Sequence, residues 1–396
     1  MGKKYKVLAF TAIRSEYDLL SDLYKLLNND NNIEFKLIVS GAHLSSTYGF
    51  TIQEIEKDGL SILARIETLI DSNSKVKRPK SASILFQSAL DIVSQYQPDL
   101  ILYAGDREEV IIASLIGGYL EIPTIHFYGG DHVKDSHIDN PVRHATSKLS
   151  TFHFVSTEEH KKRLICMGEK EERIFNIGSI ALDKFVSFVP IKKDKLKEVF
   201  NVGHFDKFAL VIFHPIPKER EKSAKVFENI LLSLKENNIN AFVSYPNIDP
   251  GSDKIIEIIN KYENDKNFKF YKNLPRELFL SIYKNAEFII GNSSSGILES
   301  ASVPIPAINV GYRQTGRTAN ENVVYVNTDL SSINNAIKNV ISKEFKNKIR
   351  YIKNIYGDGN SAQKAFNIIK NLLDKKDYLQ NMIFKDEDPL ELCYEK

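Results

Sequence analysis

Short apolar runs alternate with longer amphipathic stretches along this chain, which restricts it to parallel sheets joined by crossover helices. The first series predicts strands over 6–10, 35–40, 100–104, 124–127 and 152–155, with helices over 17–28, 83–96, 108–120 and 158–167. A fresh series opens over 209–213 and continues over 241–244, 268–271, 288–290 and 307–310. Its helices are predicted over 222–237, 254–262, 275–284 and 296–301. Two such series predict an α/β chain of two doubly wound, Rossmann-like domains. The join falls near 177–195, where patterned runs give way to Pro190 and a lysine-rich stretch. The expected division is 1–180 and 181–365, with 366–396 as a C-terminal helix and tail. A last helix is predicted over 361–379, after the turn Gly357-Asp358-Gly359-Asn360.

With 396 residues, both domains are large enough to bury their own cores. No apolar run approaches the roughly 20 residues needed to span a bilayer, and the start of the chain lacks the apolar region of a signal peptide. Cys166 and Cys393 cannot form a disulfide framework or a four-thiolate metal site, so a reducing cytoplasm is the expected compartment. The formal net charge is +2, which gives no whole-chain reason to expect nucleic acid. Anion binding must come from a local site.

In doubly wound folds, ligands sit beyond the carboxyl ends of the strands, so the loops there carry the candidate chemistry. Arg14 and Ser15 follow the first strand; they offer a phosphate grip, or a helix cap beside a surface charge. Asp106 and Arg107 follow the third, where Asp106 is either a helix cap or a group that positions substrate and moves a proton. His126, His132, His137 and His144 cluster in sequence, but their spacing matches no compact zinc pattern. A polar substrate loop is expected there, with Asp131 and Asp139 available for acid–base work and Gly129-Gly130 permitting close approach. In the second half, His214 ends a strand. The run Gly291-Asn292-Ser293-Ser294-Ser295-Gly296 offers amides, hydroxyls and a helix start to phosphate oxygens, or simply caps a helix.

Taken in order, these segments resemble the hydrolysing branch of the UDP-N-acetylglucosamine 2-epimerase family. The resemblance runs from about Val7 to Leu373. It rests on Arg14-Ser15-Glu16-Tyr17, Gly105-Asp106-Arg107, Asp139 through Arg143-His144, His214-Pro215, Gly291-Asn292-Ser293-Ser294, Arg313-Gln314-Thr315-Gly316-Arg317 and Tyr356-Gly357-Asp358-Gly359-Asn360. It implies a GT-B-like fold with an interdomain cleft, and a C-terminal helix returning to the first domain. It also implies a nucleotide-sugar substrate, no cofactor and no metal. Arg14, His214, Ser293, Ser294 and Arg313 would hold the diphosphate, and Glu299 the ribose. Asn273 would lie by the base, Asn247 on the nucleotide side, and Asp106, Arg107 and Asp139 by the sugar, with Arg143 a further substrate-binding residue. The implied reaction removes the C2 proton as the nucleotide leaves C1, then adds water to release a C2-inverted sugar. The expected assembly is a homo-oligomer, a dimer or tetramer.

One departure stands out. Tyr128 occupies a place before the paired glycines where many hydrolysing members have a glutamate, and Asp131 follows them. With an ordinary pKa of about 10, a tyrosine does not simply replace a carboxylate base. Tyr128 is therefore expected to shape the sugar pocket while Asp106, Asp131 or Asp139 moves the proton. Two other readings are a GT-B-type glycosyltransferase and a catalytically silent nucleotide-sugar binding protein.

Overall fold

The computed structural model describes residues 4–70, 76–133, 138–215, 220–246, 251–272 and 274–383. The chain divides into two units. One holds Met1–His132, Ser136–Asp183 and Gly359–Lys396; the other holds Val133–Asp135 and Lys184–Asp358.

The first unit carries β1 (Tyr5–Thr11), β2 (Ile33–Ser40), β3 (Ile62–Ile66), β4 (Leu100–Ala104), β5 (Thr124–Phe127), β6 (Phe152–Val155) and β7 (Ile174–Asn176). Its helices are α1 (Arg14–Asn29), α2 (Ile52–Lys57), α3 (Lys77–Tyr96), α4 (Glu108–Tyr119), α5 (Asp139–Leu149) and α6 (Glu158–Cys166), and α7 (Ala181–Ser187) carries the chain onward. The strands form a parallel sheet in the order β3-β2-β1-β4-β5-β6-β7. Its central strands are buried on both faces, which is why they read as unbroken apolar runs.

The second unit carries α8 (Lys193–Phe200), β8 (Phe208–Ile212), α9 (Arg220–Glu236), β9 (Asn240–Ser244), α10 (Ser252–Tyr262), β10 (Phe268–Tyr271) and α11 (Arg276–Asn285). It continues with β11 (Ile289–Gly291), α12 (Ser295–Leu298), β12 (Ala307–Val310), β13 (Val323–Val326), α13 (Leu330–Val340) and α14 (Lys343–Ile349). This sheet is also parallel, in the order β10-β9-β8-β11-β12-β13.

Two further helices, α15 (Ser361–Asp374) and α16 (Lys376–Asn381), belong to the first unit. The predicted single last helix is thus broken at Lys375, whose backbone leaves the helical region (φ −109°, ψ 60°). Ala362, Ala365 and Ile369 of α15 join the core that holds Tyr17 and Leu20 of α1. The start of α15 is held by Asp183, whose carboxylate accepts from the Ser361 amide at 2.9 Å and the Ala362 amide at 2.6 Å. Among the described residues no helix is long and apolar enough to cross a membrane.

Each sheet reverses its winding once, between β1 and β4 in the first unit and between β8 and β11 in the second. Loops leaving the two strands at such a point diverge and open a crevice at the carboxyl ends. Each unit presents its candidate residues there.

Candidate active site

In the first unit, α1 starts after Ile13 with no side-chain cap on that residue. Glu16, one turn in, reaches back instead and accepts from the Ala12 amide at 3.1 Å. Ser15 is exposed, so the cap that its residue type suggested falls to Glu16. Burial pushes the Glu16 carboxyl up to about 8, with Glu109 adding to the shift and Arg107 and the backbone amides opposing it. Arg14 is exposed and pairs with Glu54 at 3.2 Å.

The loop after β4 decides between the two readings of Asp106. It caps nothing; α4 begins behind Arg107 without a side-chain cap. Asp106 forms an ion pair with Arg143, which reaches it from α5 and is 6% exposed. That guanidinium also donates to the Asp131 carbonyl at 3.0 Å and to Asn140 Oδ1 at 3.2 Å. Arg107 is engaged by Glu109, through Nε at 3.1 Å and Nη2 at 3.4 Å. Its charge is therefore matched by the first turn of α4.

Asp139 lies at the first position of α5 and not in the polar loop expected of it. Proline is tolerated in a helix's first turn and a carboxylate there meets the positive end of the dipole, so Asp139-Asn140-Pro141 starts a helix as readily as it makes a loop. Burial raises the Asp139 carboxyl, and the neighbouring Asp106 charge raises it further, against the pull of Arg143, Arg78 and Arg107.

The loop after β5 is pressed onto α6. Gly130 has φ +74°, and a Cβ there would sit 2.3 Å from the His160 carbonyl oxygen. Arg163 of α6 donates to the Gly130 carbonyl. Asp131 then follows, its Oδ1 accepting from the His132 amide at 2.9 Å and lying 3.4 Å from His160 Nε2. Tyr128 adopts φ +67°, its ring packs against the unit's core, and its hydroxyl is buried. Burial pushes that hydroxyl well above its ordinary range, against the opposing effect of Ser179 and the Ala181 backbone. The hydroxyl end of Tyr128 thus turns into the protein, while the residue as a whole is only partly buried.

The histidines divide. His126 Nε2 lies 2.8 Å from the Gly105 carbonyl, an obligate acceptor, so this nitrogen carries the proton and Nδ1 accepts from Ser147 at 3.0 Å. Burial holds His126 neutral, its pKa lowered to about 3. It ties the β4 loop to α5. His132 and His144 stack with ring centres 5.6 Å apart; His137 lies outside the described residues. Among the described residues no group of three or more His, Cys, Asp or Glu side chains is placed to hold a metal ion.

In the second unit, the last residues of the paired strands β8 and β11 abut. Gly291 has φ +145°, and a Cβ would lie 2.0 Å from the Ile212 carbonyl oxygen, so no side chain fits. Asn292 is fully buried and clamps the two loops: Oδ1 accepts from the His214 amide at 2.8 Å, and Nδ2 donates to the His214 carbonyl at 2.8 Å. The Asn292 carbonyl accepts from Arg313 Nη1 at 2.9 Å and Gln314 Nε2 at 3.2 Å. His214, Ser293 and Arg313 are thereby gathered around one buried amide. Sequence reasoning passed over Asn292 as part of a small-residue run; the signal was a Gly-Asn step closing an apolar strand.

Ser293 Oγ accepts from the Ser295 amide at 3.3 Å. Ser294 immediately precedes α12, which is a single turn, followed by a 3-10 turn at Ser300–Ser302. The expected helix-dipole contribution is accordingly small, since a macrodipole needs aligned peptides over several turns. Serine hydroxyls, loop amides and Arg313 remain as the candidate groups for an anion. Glu299 accepts from Ser295 Oγ at 2.6 Å; burial raises its carboxyl and Ser295 opposes the shift. Asn247 and Asn273 lie outside the described residues.

Several solved structures share this arrangement. A UDP-GlcNAc 2-epimerase from Neisseria meningitidis bound to UDP-GlcNAc superposes with a TM-score of 0.72 at 19% identity, covering 93% of this chain and 100% of that one. With this likeness, the two parallel sheets and their helices define a GT-B-like α/β fold. Among sequence relatives, the UDP-N,N'-diacetylbacillosamine 2-epimerase (hydrolyzing) of Legionella pneumophila is 32% identical over 367 residues, 93% of this chain and 96% of that protein. The GDP/UDP-N,N'-diacetylbacillosamine 2-epimerase (hydrolyzing) of Campylobacter jejuni is 34% identical over 349 residues, 87% of this chain and 89% of that protein. The UDP-N-acetylglucosamine 2-epimerase family profile matches residues 25–370. The chain belongs to that family.

Proposed function

We propose that this enzyme hydrolyses a UDP-linked N,N'-diacetylated sugar, releasing UDP and the free sugar inverted at C2. The two relatives at 32% and 34% identity, whose names carry that sugar class, support the choice of substrate. The second unit's His214, Ser293, Ser294 and Arg313 take the diphosphate, where charge develops as the C1–O bond breaks. The first unit's carboxyl groups act on the sugar.

A single observation carries the assignment of proton roles. Asp106 is paired with Arg143, while burial and the Asp106 charge push Asp139 beside it toward its protonated form. Paired titratable groups whose environments drive them apart divide into acid and base. Asp139 is then the donor that reprotonates C2, and Asp106, engaged by Arg143, is the fixed group that aligns it; Asp131, the remaining carboxylate of these loops, is taken as the base that removes the C2 proton. Loss of the C2 proton and of UDP leaves a 1,2-unsaturated sugar; water supplies the new C1 hydroxyl.

Incubation of a nucleotide-sugar panel in heavy water tests this reading. UDP-N,N'-diacetylbacillosamine should yield free C2-inverted sugar with one deuterium at C2, faster than UDP-GlcNAc. Release of sugar that keeps its C2 protium would mean plain glycosidic hydrolysis. Turnover only with an added acceptor would mean a transferase, and UDP binding without any turnover a silent binding protein.

A further inference from the structure

We propose that His160 is the positioning residue of the proton-transfer site, holding the Asp131 carboxylate in the orientation and ionised form that proton abstraction requires. The inference rests on the reading of Asp131 as the base. His160 is 4% exposed and sits in the first turn of α6, its amide donating to the N-cap hydroxyl of Thr157 at 3.2 Å. Its Nε2 lies 3.4 Å from Asp131 Oδ1. Neutral or protonated, an imidazole N–H directed at a carboxylate favours the ionised form. The dyad needs no adjustment on binding, because its backbone is already fixed. The Gly130 backbone is seated on the His160 carbonyl, where no Cβ would fit. Arg163, on the same face of α6, donates to the Gly130 carbonyl, and Arg143 from α5 holds the Asp131 carbonyl at 3.0 Å. Three side chains from two helices thus anchor one aspartate: two fix its backbone and one aims its carboxylate.

Among the described residues, the charged and titratable groups around Asp131 include His160 and Arg163 from α6, Arg143 and His144 from α5, and Tyr128 and His132 in its own loop. Arg143 is already shared with Asp106, the Asp131 carbonyl and Asn140. Removal of His160 therefore takes away the imidazole that lies beside the carboxylate. The base would then bind its proton more tightly.

The test uses the full chain and reads C2 deuterium incorporation, kcat, KM and their pH profiles with thermal melting. His160→Leu should lower kcat by roughly tenfold or more, leave KM and UDP affinity nearly unchanged, and move the acidic limb of the kcat profile up by about one pH unit. His160→Gln places an amide N–H near the Nε2 position and should recover most of kcat and the limb. His160→Asn, which is too short to reach Asp131, should behave as the leucine variant does and serves if that variant does not fold. An acidic limb that stays put in the leucine or asparagine variant overturns the proposal, as does a glutamine variant no better than asparagine. Failure of the wild-type enzyme to exchange hydrogen at C2 is a different result, and sinks the reading of the reaction itself.

Discussion

The carboxyl ends of the two sheets are built from different materials. In the first unit, the candidate site rests on ionisable side chains that hold one another: Asp106 with Arg143, Arg107 with Glu109, Asp131 with His160. In the second, it rests on backbone shape, with Gly291 against Ile212 and the buried Asn292 amide joining two loops. The difference suits the proposed tasks. Moving a proton needs groups of tuned proton affinity, whereas gripping a diphosphate needs donors held at fixed spacing. Side-chain chemistry should therefore be the sensitive variable in the first unit and steric room in the second.

The largest expected effect tests the second half of that contrast. Gly291→Ala adds one carbon where the Ile212 carbonyl already sits, so calorimetry should find no UDP binding even though no functional group is lost. Wild-type affinity in this variant would show that the loops relax freely and that shape is not the controlling feature.

Next comes the first unit. Asp139→Asn keeps size and removes the proton, and should lower turnover by about 10²–10⁴-fold with UDP affinity nearly intact. Tyr128→Phe should keep substantial turnover, because that hydroxyl is buried beneath the loop. Collapse in the tyrosine variant with mild loss in the aspartate variant would reverse the roles. A smaller effect is expected for Arg313→Ala, which removes one charge-assisted donor and should weaken UDP binding by about 1.5–3 kcal/mol. Turnover falling at saturating substrate, with affinity unchanged, would move Arg313 from binding to chemistry.

The smallest effect concerns stability. Burial raises Glu16 from an ordinary 4.5 to about 8, so between those values the folded state binds a proton that the unfolded chain releases. Stability from this group is fully present below about 4.5 and is lost as pH rises through about 8. Glu16→Gln keeps an acceptor for the Ala12 amide without the titration. Its melting temperature should fall less than that of the wild type across this window; parallel curves would show that Glu16 does not titrate there.

Much of this architecture was legible in the sequence, and the exceptions share a cause. The missed strands β3, β7 and β13 are all sheet edges, half-exposed or very short, so they carry no buried apolar run. The edge strand β10 was found because its Phe-Lys-Phe-Tyr alternates clearly. Among site residues, Asp106 was open to two readings because its neighbours in sequence permit a cap, while its partner Arg143 lies 37 residues away. Glu16 and Asn292 stood inside recognised segments but carried no mark of burial.

What the sequence determined by itself was periodic and local. Apolar alternation set two parallel sheets, and small or charged residues at strand ends marked where the chemistry is placed. Tertiary structure alone decided the partnerships: that Asp106 binds Arg143 instead of capping α4, that Glu16 and not Ser15 caps α1, that Tyr128 turns its hydroxyl inward, and that Asp131 meets His160. The physical reason is that charge and proton affinity depend on what lies within a few ångströms in space. Residues far apart in sequence reach that distance only when the sheet order brings their strand ends side by side.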